Sequence, residues 1–165
     1  PVGDGTVVLV PLPEAVEPGD AVELTAAFRT IVPVDSTAAF GIFSVKSDQR
    51  AIALAHWHPM LAGRDGAGWS LEPFSRNGDP VFAPAAFYDV TLRVPSGLDA
   101  VTTGVVVSER PVDGAVERRI EAGPVRELGL AVGAGWSRET GNADGIEVNV
   151  WSDADDPSAA ESVLA

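Results

Sequence analysis

The residues of this chain that are best suited to chemistry lie close together. Both of its histidines, His56 and His58, fall within residues 55–74, together with two of its four tryptophans. Residues two apart on a β-strand point to the same side, so both imidazoles could face one metal ion. Zinc takes three or four protein ligands, and the donors left nearby are the carboxylates of Asp65 and Glu72.

A structural interpretation of this stretch is favoured over a metal site. On a strand, Trp57 would point into the core while the two histidines lie on the wetter face. Pro59 would then end the strand pairing, because proline has no N–H to donate. The chain contains no cysteine and no third histidine. We expect no metal ligand here, with a small metal-dependent enzyme built on His56 and His58 as an alternative.

Other catalytic patterns are missing from the sequence. It contains no Gly-x-Ser-x-Gly elbow, no phosphate-binding glycine loop and no His-Glu-x-x-His. Asp153, Asp155 and Asp156 look like the start of a calcium loop, but the following glycine and the distant glutamate of such a loop are missing. We therefore expect no catalytic residue and no bound cofactor in this chain, and no substrate-binding residue is identified.

Composition limits the class of protein and its partners. A chain of 165 residues with 45% hydrophobic residues is large enough for a folded domain with a core. Its net charge of −13 repels phosphate backbones and anionic lipids, which disfavours nucleic-acid and membrane-surface partners. No apolar run reaches the roughly 18–20 residues of a membrane span. After Arg138 the charged residues are all acidic, which indicates a solvated acidic end.

Strand periodicity recurs along the chain, and it predicts an all-β protein. Apolar and polar residues alternate in Val22–Thr30, Ala86–Val94 and Gly145–Trp151. Six further runs are also predicted as strands: Val7–Val10, Phe40–Ser44, Ile52–Leu54, Val101–Ser108, Ala115–Ile120 and Leu128–Ala131. A type II turn at Glu17–Asp20 and hairpin turns at Asn77-Gly and Asp113-Gly fall between them. The pattern favours an antiparallel β-sandwich.

The end of the chain changes period. Asp156 is a candidate N-cap, and Pro157 suits the first helical position. We predict a β-sandwich over residues 1–152, followed at 153–165 by an acidic linker and the start of a helix. Such a short helix is expected to pack little and to lead toward a further domain.

Several phrases of the sequence together resemble a known family. They are Leu12–Phe28 followed by Val32-Pro33, then Trp57-His-Pro-Met-Leu61, Gly68-Trp69, Glu72-Pro73, Ala85–Pro95 and Ala100–Gly104. Their order and spacing resemble the β-sheet domain that precedes the catalytic domain in bacterial aminopeptidase N-like zinc metallopeptidases, the gluzincins. The resemblance covers roughly residues 7–151.

The resemblance implies a non-catalytic role for this chain. In the family, the zinc ligands and the general base belong to a His-Glu-x-x-His motif and a later glutamate in the domain that follows. The expected partners are that catalytic domain and, through it, a peptide substrate. Some members use a Gln or Glu of the N-terminal domain to hold the substrate amine, and Gln49 is the nearest candidate, although its surroundings do not match clearly.

The resemblance also bears on assembly and location. The family's domain begins with several strands before the Pro-Gly hairpin, and this chain has few residues there. If those strands were removed, exposed strand edges would favour self-association. Bacterial relatives are often secreted or envelope-associated, so such a location is slightly favoured over the cytoplasm.

The alternative function is a secreted β-sandwich module that binds glycan or protein. Its candidate contact residues are exposed aromatic side chains, which would form a platform for a ligand. These candidates are Trp69, Phe74, Trp136 and Trp151.

Overall fold

The computed structural model describes residues 5–34, 43–45, 51–71 and 83–164. The chain divides into two compact units, one made of Pro1–Ile31 and His58–Ala85, the other of Val32–Trp57 and Ala86–Ala165. The strands and the helix of the described residues are β1 Phe43–Val45, β2 Ala51–Leu54, β3 Arg64–Asp65, β4 Gly68–Trp69, β5 Ala86–Pro95, β6 Asp99–Thr102, β7 Val105–Val112, β8 Ala115–Val125, β9 Leu130–Gly133, β10 Trp136–Ala143, β11 Ile146–Asp153 and α1 Ser158–Leu164.

All the named strands pair antiparallel, which confirms the all-β class predicted from the sequence. The first unit contains the two-stranded sheet β3-β4. The second contains a four-stranded sheet, β1-β2-β9-β6, a three-stranded sheet, β5-β8-β7, and the hairpin β10-β11. No helix in the described ranges has the length and apolar character needed to cross a membrane.

The three-stranded sheet has the alternation that the sequence predicts for Ala86–Val94. Tyr88, Val90, Leu92 and Val94 are less exposed than the residues between them. On the central strand β8, Ile120 is only 1% exposed and lies opposite Val90 on one side and Val106 on the other. Its burial marks the apolar face of this sheet.

Two hairpins of the second unit are each closed by an Asp-Gly turn. Asp113 and Gly114 join β7 to β8 with φ of 43° and 77°, and Asp144 and Gly145 join β10 to β11 with 51° and 86°. Positive φ at both central residues matches a type I′ turn, which suits the right-handed twist of the strands. In the first unit, Gly19 has φ 99° and Asp20 N–H donates to the carbonyl of Glu17 at 3.0 Å, as the predicted type II turn requires.

The C-terminal helix packs against the sheet more closely than the sequence predicted. It begins at Ser158, directly after the predicted Asp156-Pro157 cap. The helix packs against β10 and β11, and Ala160 is fully buried. Gly141 of β10 leaves room for Leu164, because a Cβ at that glycine would lie 2.7 Å from a Leu164 methyl carbon. The expectation that this helix packs little was therefore wrong.

Several predicted strands differ from the structure. No strand forms at Val22–Thr30, and in Val7–Val10 there is only an isolated bridge at Val7. Alternation defines an apolar face, but a strand also needs a neighbour that completes its backbone hydrogen bonds. The predicted run Val101–Ser108 is interrupted between β6 and β7 at Gly104, whose φ of 101° suits glycine.

Other differences concern strand limits and three strands that the sequence did not predict, β3, β4 and β10. β1, β8 and β9 extend beyond or shift from the predicted runs, and residues 40–42 and the Asn77-Gly turn lie outside the described residues. The sequence did not predict β10, Trp136–Ala143, which is rich in polar residues. β10 is stabilised by pairing along its whole length with β11.

Candidate functional site

His56 lies in a corner of the fold, formed by residues 55–58 after the end of β2, and not in a strand. β2 ends at Leu54, and His56 has φ 51°, in the left-handed region that side chains rarely adopt. Its backbone N–H donates to Glu127 Oε1 at 2.8 Å, and its Nε2 lies 3.6 Å from Glu127 Oε2. His56 is therefore not part of a strand, so the period-two argument that both imidazoles could face one ion does not apply to it.

The neighbouring residues of the corner are also engaged in structural contacts. Trp57 Nε1–H donates to the backbone carbonyl of Leu128 at 2.9 Å. His58, in the other unit, lies with its Nδ1 3.0 Å from the carbonyl of Pro59, where a protonated Nδ1 donates. Within the described part of the chain, no three His, Cys, Asp or Glu residues are grouped so that they could hold a metal ion.

The carboxylates considered as metal ligands bind local backbone groups instead. Asp65 Oδ1 accepts the N–H of Ala67 at 2.8 Å in the β3-β4 turn. Asp153 Oδ1 accepts the N–H of Asp155 at 3.0 Å. Asp156 Oδ1 accepts both the N–H and the hydroxyl of Ser158, and these bonds lower the pKa of Asp156. These carboxylates stabilise turns and cap the helix. Gln49, Glu72 and Phe74 lie outside the described residues.

The tryptophans proposed as a platform differ in their surroundings. Trp69 is 49% exposed, with the guanidinium of Arg64 5.5 Å from its ring centroid. Trp151 is 37% exposed, with Arg138, its cross-strand partner, at 5.3 Å. The ring of Trp136 lies directly against Gly133, in the space that a Cβ would fill. Two of the three described rings are thus exposed and paired with arginine, and the third is packed.

A groove lies at one end of the sheet β5-β8-β7 in the second unit. It has a volume of about 500 Å³. The groove is lined by residues of all three strands: Phe87, Tyr88, Asp89, Val105, Val107, Glu121, Ala122 and Gly123. Phe87 is 80% exposed and Val105 68%. Exposed apolar side chains that lie together in one patch, as these two do along the groove, are a feature of protein surfaces that bind a partner.

Gly123 makes the shape of the groove possible. A Cβ at this position would lie 2.6 Å from Phe87 Cδ1 and 2.8 Å from Phe87 Cα, so only glycine allows Phe87 to lie against β8. A register irregularity between Ala86 and Tyr88 places Phe87 opposite a bulge of β8, where two residues, Gly123 and Pro124, face one residue of β5. Bulges re-aim side chains at sheet edges, and here the bulge coincides with the exposed phenyl ring.

The groove is flanked by ion pairs on the outward face of the sheet. Arg119 Nη2 lies 2.9 Å from Asp89 Oδ2 and 2.9 Å from Glu121 Oε1. The hydrogen bond from Arg119 lowers the pKa of Asp89, and the same contact raises that of Arg119. The carboxylate of Asp89 is therefore ionised at neutral pH.

A second set of ion pairs continues along this face. Glu117 lies between Arg93 and Arg110 on the neighbouring strands and accepts hydrogen bonds from both. Those two bonds lower the pKa of Glu117. The outward face of the sheet therefore carries two neighbouring sets of ion pairs, around Arg119 and around Glu117, next to the groove.

Comparison with known proteins gives no relative from which a function could be transferred. No family model, curated protein or solved structure matches this chain.

The groove was missed at the level of sequence, although a signal was present. In Ala86–Val94 the apolar residues of the alternation are the even-numbered ones, which leaves Phe87 on the polar side. An aromatic residue on the polar side of an amphipathic strand indicates an exposed ring. The run Val105-Val-Val107, which breaks the alternation, is a second signal of the same kind.

Proposed function

We propose that this chain is a non-catalytic domain of an aminopeptidase N-like zinc metallopeptidase. In this proposal it packs against the catalytic domain and shapes the access of peptide substrates. The observation that carries the proposal is the position of the groove. It lies at the start of β5, and Ala85–Pro95, one of the segments that together resemble the family, spans that strand.

The contacts of residues 56 and 57 support a scaffolding role. The resemblance includes Trp57-His-Pro-Met-Leu61, and the indole of Trp57 is bonded to the backbone of Leu128 rather than presented to a ligand. His56 likewise contacts Glu127 through both its backbone and its ring. These side chains stabilise a corner of the fold, as expected of a domain without its own active site.

In this proposal, zinc belongs to the parent protein and not to this chain. In such enzymes a zinc-bound water supplies the nucleophile. The ligands of the zinc ion are the histidines and the glutamate of the following domain. The sandwich packing of the sheets, the parent's peptide substrate and the slightly favoured secreted or envelope location are part of the same proposal.

The experiment that tests the proposal uses the coding sequence downstream of this chain. The longer protein is expressed, its zinc content is measured, and its hydrolysis of aminoacyl-p-nitroanilides is assayed. We expect a His-Glu-x-x-His motif, about one zinc per chain and hydrolysis that is lost when either histidine of the motif is changed to alanine. A downstream sequence without that motif, or hydrolysis by the zinc-treated chain alone, would refute the proposal.

The exposure of Trp69 favours the alternative of a glycan- or protein-binding module. A half-exposed indole with one arginine near it offers apolar contact area and a cation in one place. Binding of an oligosaccharide that is lost in Trp69→Ala and kept in Trp151→Ala would support this alternative. Equal binding by both variants would count against Trp69 as the contact.

A further inference from the structure

The groove of the sheet β5-β8-β7 combines apolar walls with a small base. Phe87 and Val105 belong to the two outer strands, and Ala122 and Gly123 belong to the central strand between them. The Phe87 ring lies against Gly123, in the space that a Cβ would fill, and Ala122 carries only a methyl group, so these two residues add little side-chain volume to the groove between Phe87 and Val105. The groove volume of about 500 Å³ is sufficient for one large aliphatic or aromatic side chain.

The charges beside this groove favour one sign of partner. Asp89 and Glu121 both line the groove, and both are paired with the same guanidinium, that of Arg119. Two carboxylates and one guanidinium leave one negative charge uncompensated in this cluster. The whole chain carries −13, so the long-range field also attracts a basic partner.

We propose that the groove is a docking site for a segment of a partner protein in which an apolar side chain stands next to a lysine or arginine. The apolar side chain occupies the groove between Phe87 and Val105, and the cation pairs with Glu121 or Asp89. A second copy of this chain is a poorer occupant, because two copies that each carry −13 repel one another.

This inference deepens the proposed function, on which it rests for the source of the segment. If the chain packs against a catalytic domain, that domain is expected to present the basic and apolar segment. The groove itself can nevertheless be tested without the parent protein, because the second unit holds all three strands of the sheet.

The test uses a fluorescein-labelled, capped peptide of alternating lysine and valine, with fluorescence anisotropy as the measurement. A peptide with glutamate in place of lysine is the charge control. We expect the lysine peptide to bind with an affinity that falls as salt is raised, and the glutamate peptide not to bind. Equal binding of both peptides would overturn the proposal.

Matched variants locate the apolar contact. Val105 and Ile146 are equally exposed, at 68% each, but only Val105 lines the groove. We expect Val105→Ser and Phe87→Ser each to weaken binding about tenfold, and Ile146→Ser to leave it unchanged. If Ile146→Ser weakens binding as much as the groove variants do, the proposal is overturned.

A second matched pair locates the charge contact. Glu121 and Glu147 each form an ion pair with an arginine, at 2.9 Å and 3.4 Å respectively. We expect the nearly isosteric Glu121→Gln to weaken binding about threefold to tenfold and to reduce its salt dependence, with no effect of Glu147→Gln. Equal effects of the two substitutions would place the contact elsewhere and overturn the proposal.

Two further measurements separate the remaining occupants and the two proposals. Sedimentation velocity that shows a dimer dissolved by Phe87→Ser would assign the groove to a second copy and overturn the inference. Loss of peptide binding in Val105→Ser, together with a downstream sequence that lacks His-Glu-x-x-His, would support the groove and refute the metallopeptidase. The motif together with an absence of peptide binding would support the metallopeptidase and overturn the inference.

Discussion

The indole Nε1–H of Trp57 donates a hydrogen bond to the backbone carbonyl of Leu128 at 2.9 Å, across 71 positions of the sequence. Trp57 follows β2, and Leu128 precedes β9, the strand with which β2 pairs. The bond therefore closes the end of that pair, where Leu54 lies opposite Leu130. Leu128 is itself buried, so its carbonyl depends on a partner within the protein.

We expect Trp57→Phe to lower the free energy of unfolding by about 1–3 kcal/mol, because a buried carbonyl loses its donor. The phenyl ring keeps part of the apolar contact. Urea unfolding measures the change, and Trp151→Phe, at a more exposed ring, serves as the control. The control is expected to cost about 0.5 kcal/mol or less. Equal losses in the two variants would contradict the structural role given to Trp57.

The contact between His56 and Glu127 predicts a difference between two substitutions at the same position. Glu127→Ala removes the acceptor of the His56 N–H and is expected to cost about 1 kcal/mol of unfolding free energy. Glu127→Gln keeps a side-chain oxygen at that place and is expected to cost less than half as much. Urea unfolding at neutral pH distinguishes them. Equal costs would show that the charge of Glu127, and not its hydrogen bond, stabilises the corner.

The pair of arginines around Glu117 predicts how stability depends on pH. Their hydrogen bonds lower the pKa of Glu117 in the folded state below its ordinary value of 4.5. The resulting stability is fully present above the unfolded-state pKa and is lost as the pH falls through the lowered folded-state value. We expect Glu117→Gln to flatten the fall in unfolding free energy below about pH 5.

The measurement is urea unfolding at a series of pH values between neutral and strongly acidic. Thr91→Ser, a neutral and exposed change on β5, is the control and should keep the wild-type pH dependence. Arg93→Gln combined with Arg110→Gln should flatten the curve in the same way as Glu117→Gln. A wild-type slope in that double variant would contradict the assignment of the shift to these two donors.

The contact between Gly133 and Trp136 predicts a packing defect. A Cβ at Gly133 would occupy the space of the Trp136 ring, and Gly133 is buried. We expect Gly133→Ala to cost about 1–3 kcal/mol and to change the tryptophan emission, because the ring must move. Gly129→Ala, where the nearest atom to a Cβ would be Thr103 Oγ1 at 3.5 Å, is the control. An unchanged emission in Gly133→Ala would contradict the packed position of Trp136.

Much of the sheet structure could be predicted from local pattern. The alternation of Ala86–Val94 and the Asp113-Gly turn determine β5 and the β7-β8 hairpin, because period and turn chemistry are local properties. The all-β class followed from the same signals. Val22–Thr30 shows the limit of this approach: the pattern is as regular, yet no strand forms, because pairing depends on residues far away in the sequence.

The candidate site was harder to predict than the fold. His56 and His58 were the obvious residues by type, but their roles depend on Glu127 and on a left-handed backbone at His56. Neither can be inferred from the spacing of two histidines. The groove is lined by three strands, and only the register of the sheet brings Gly123 beside Phe87. The metallopeptidase assignment stays a prediction that depends on sequence resemblance.

The short connection at Asp113-Gly114 also sets an order of events in folding. β7 and β8 are joined by two residues, whereas the pairing of β5 with β8 must first close a much longer loop, at a greater entropic cost. We therefore expect the hairpin to be largely formed in the folding transition state and β5 to dock afterwards. Destabilising changes in that turn should slow refolding, while changes on β5 should mainly accelerate unfolding.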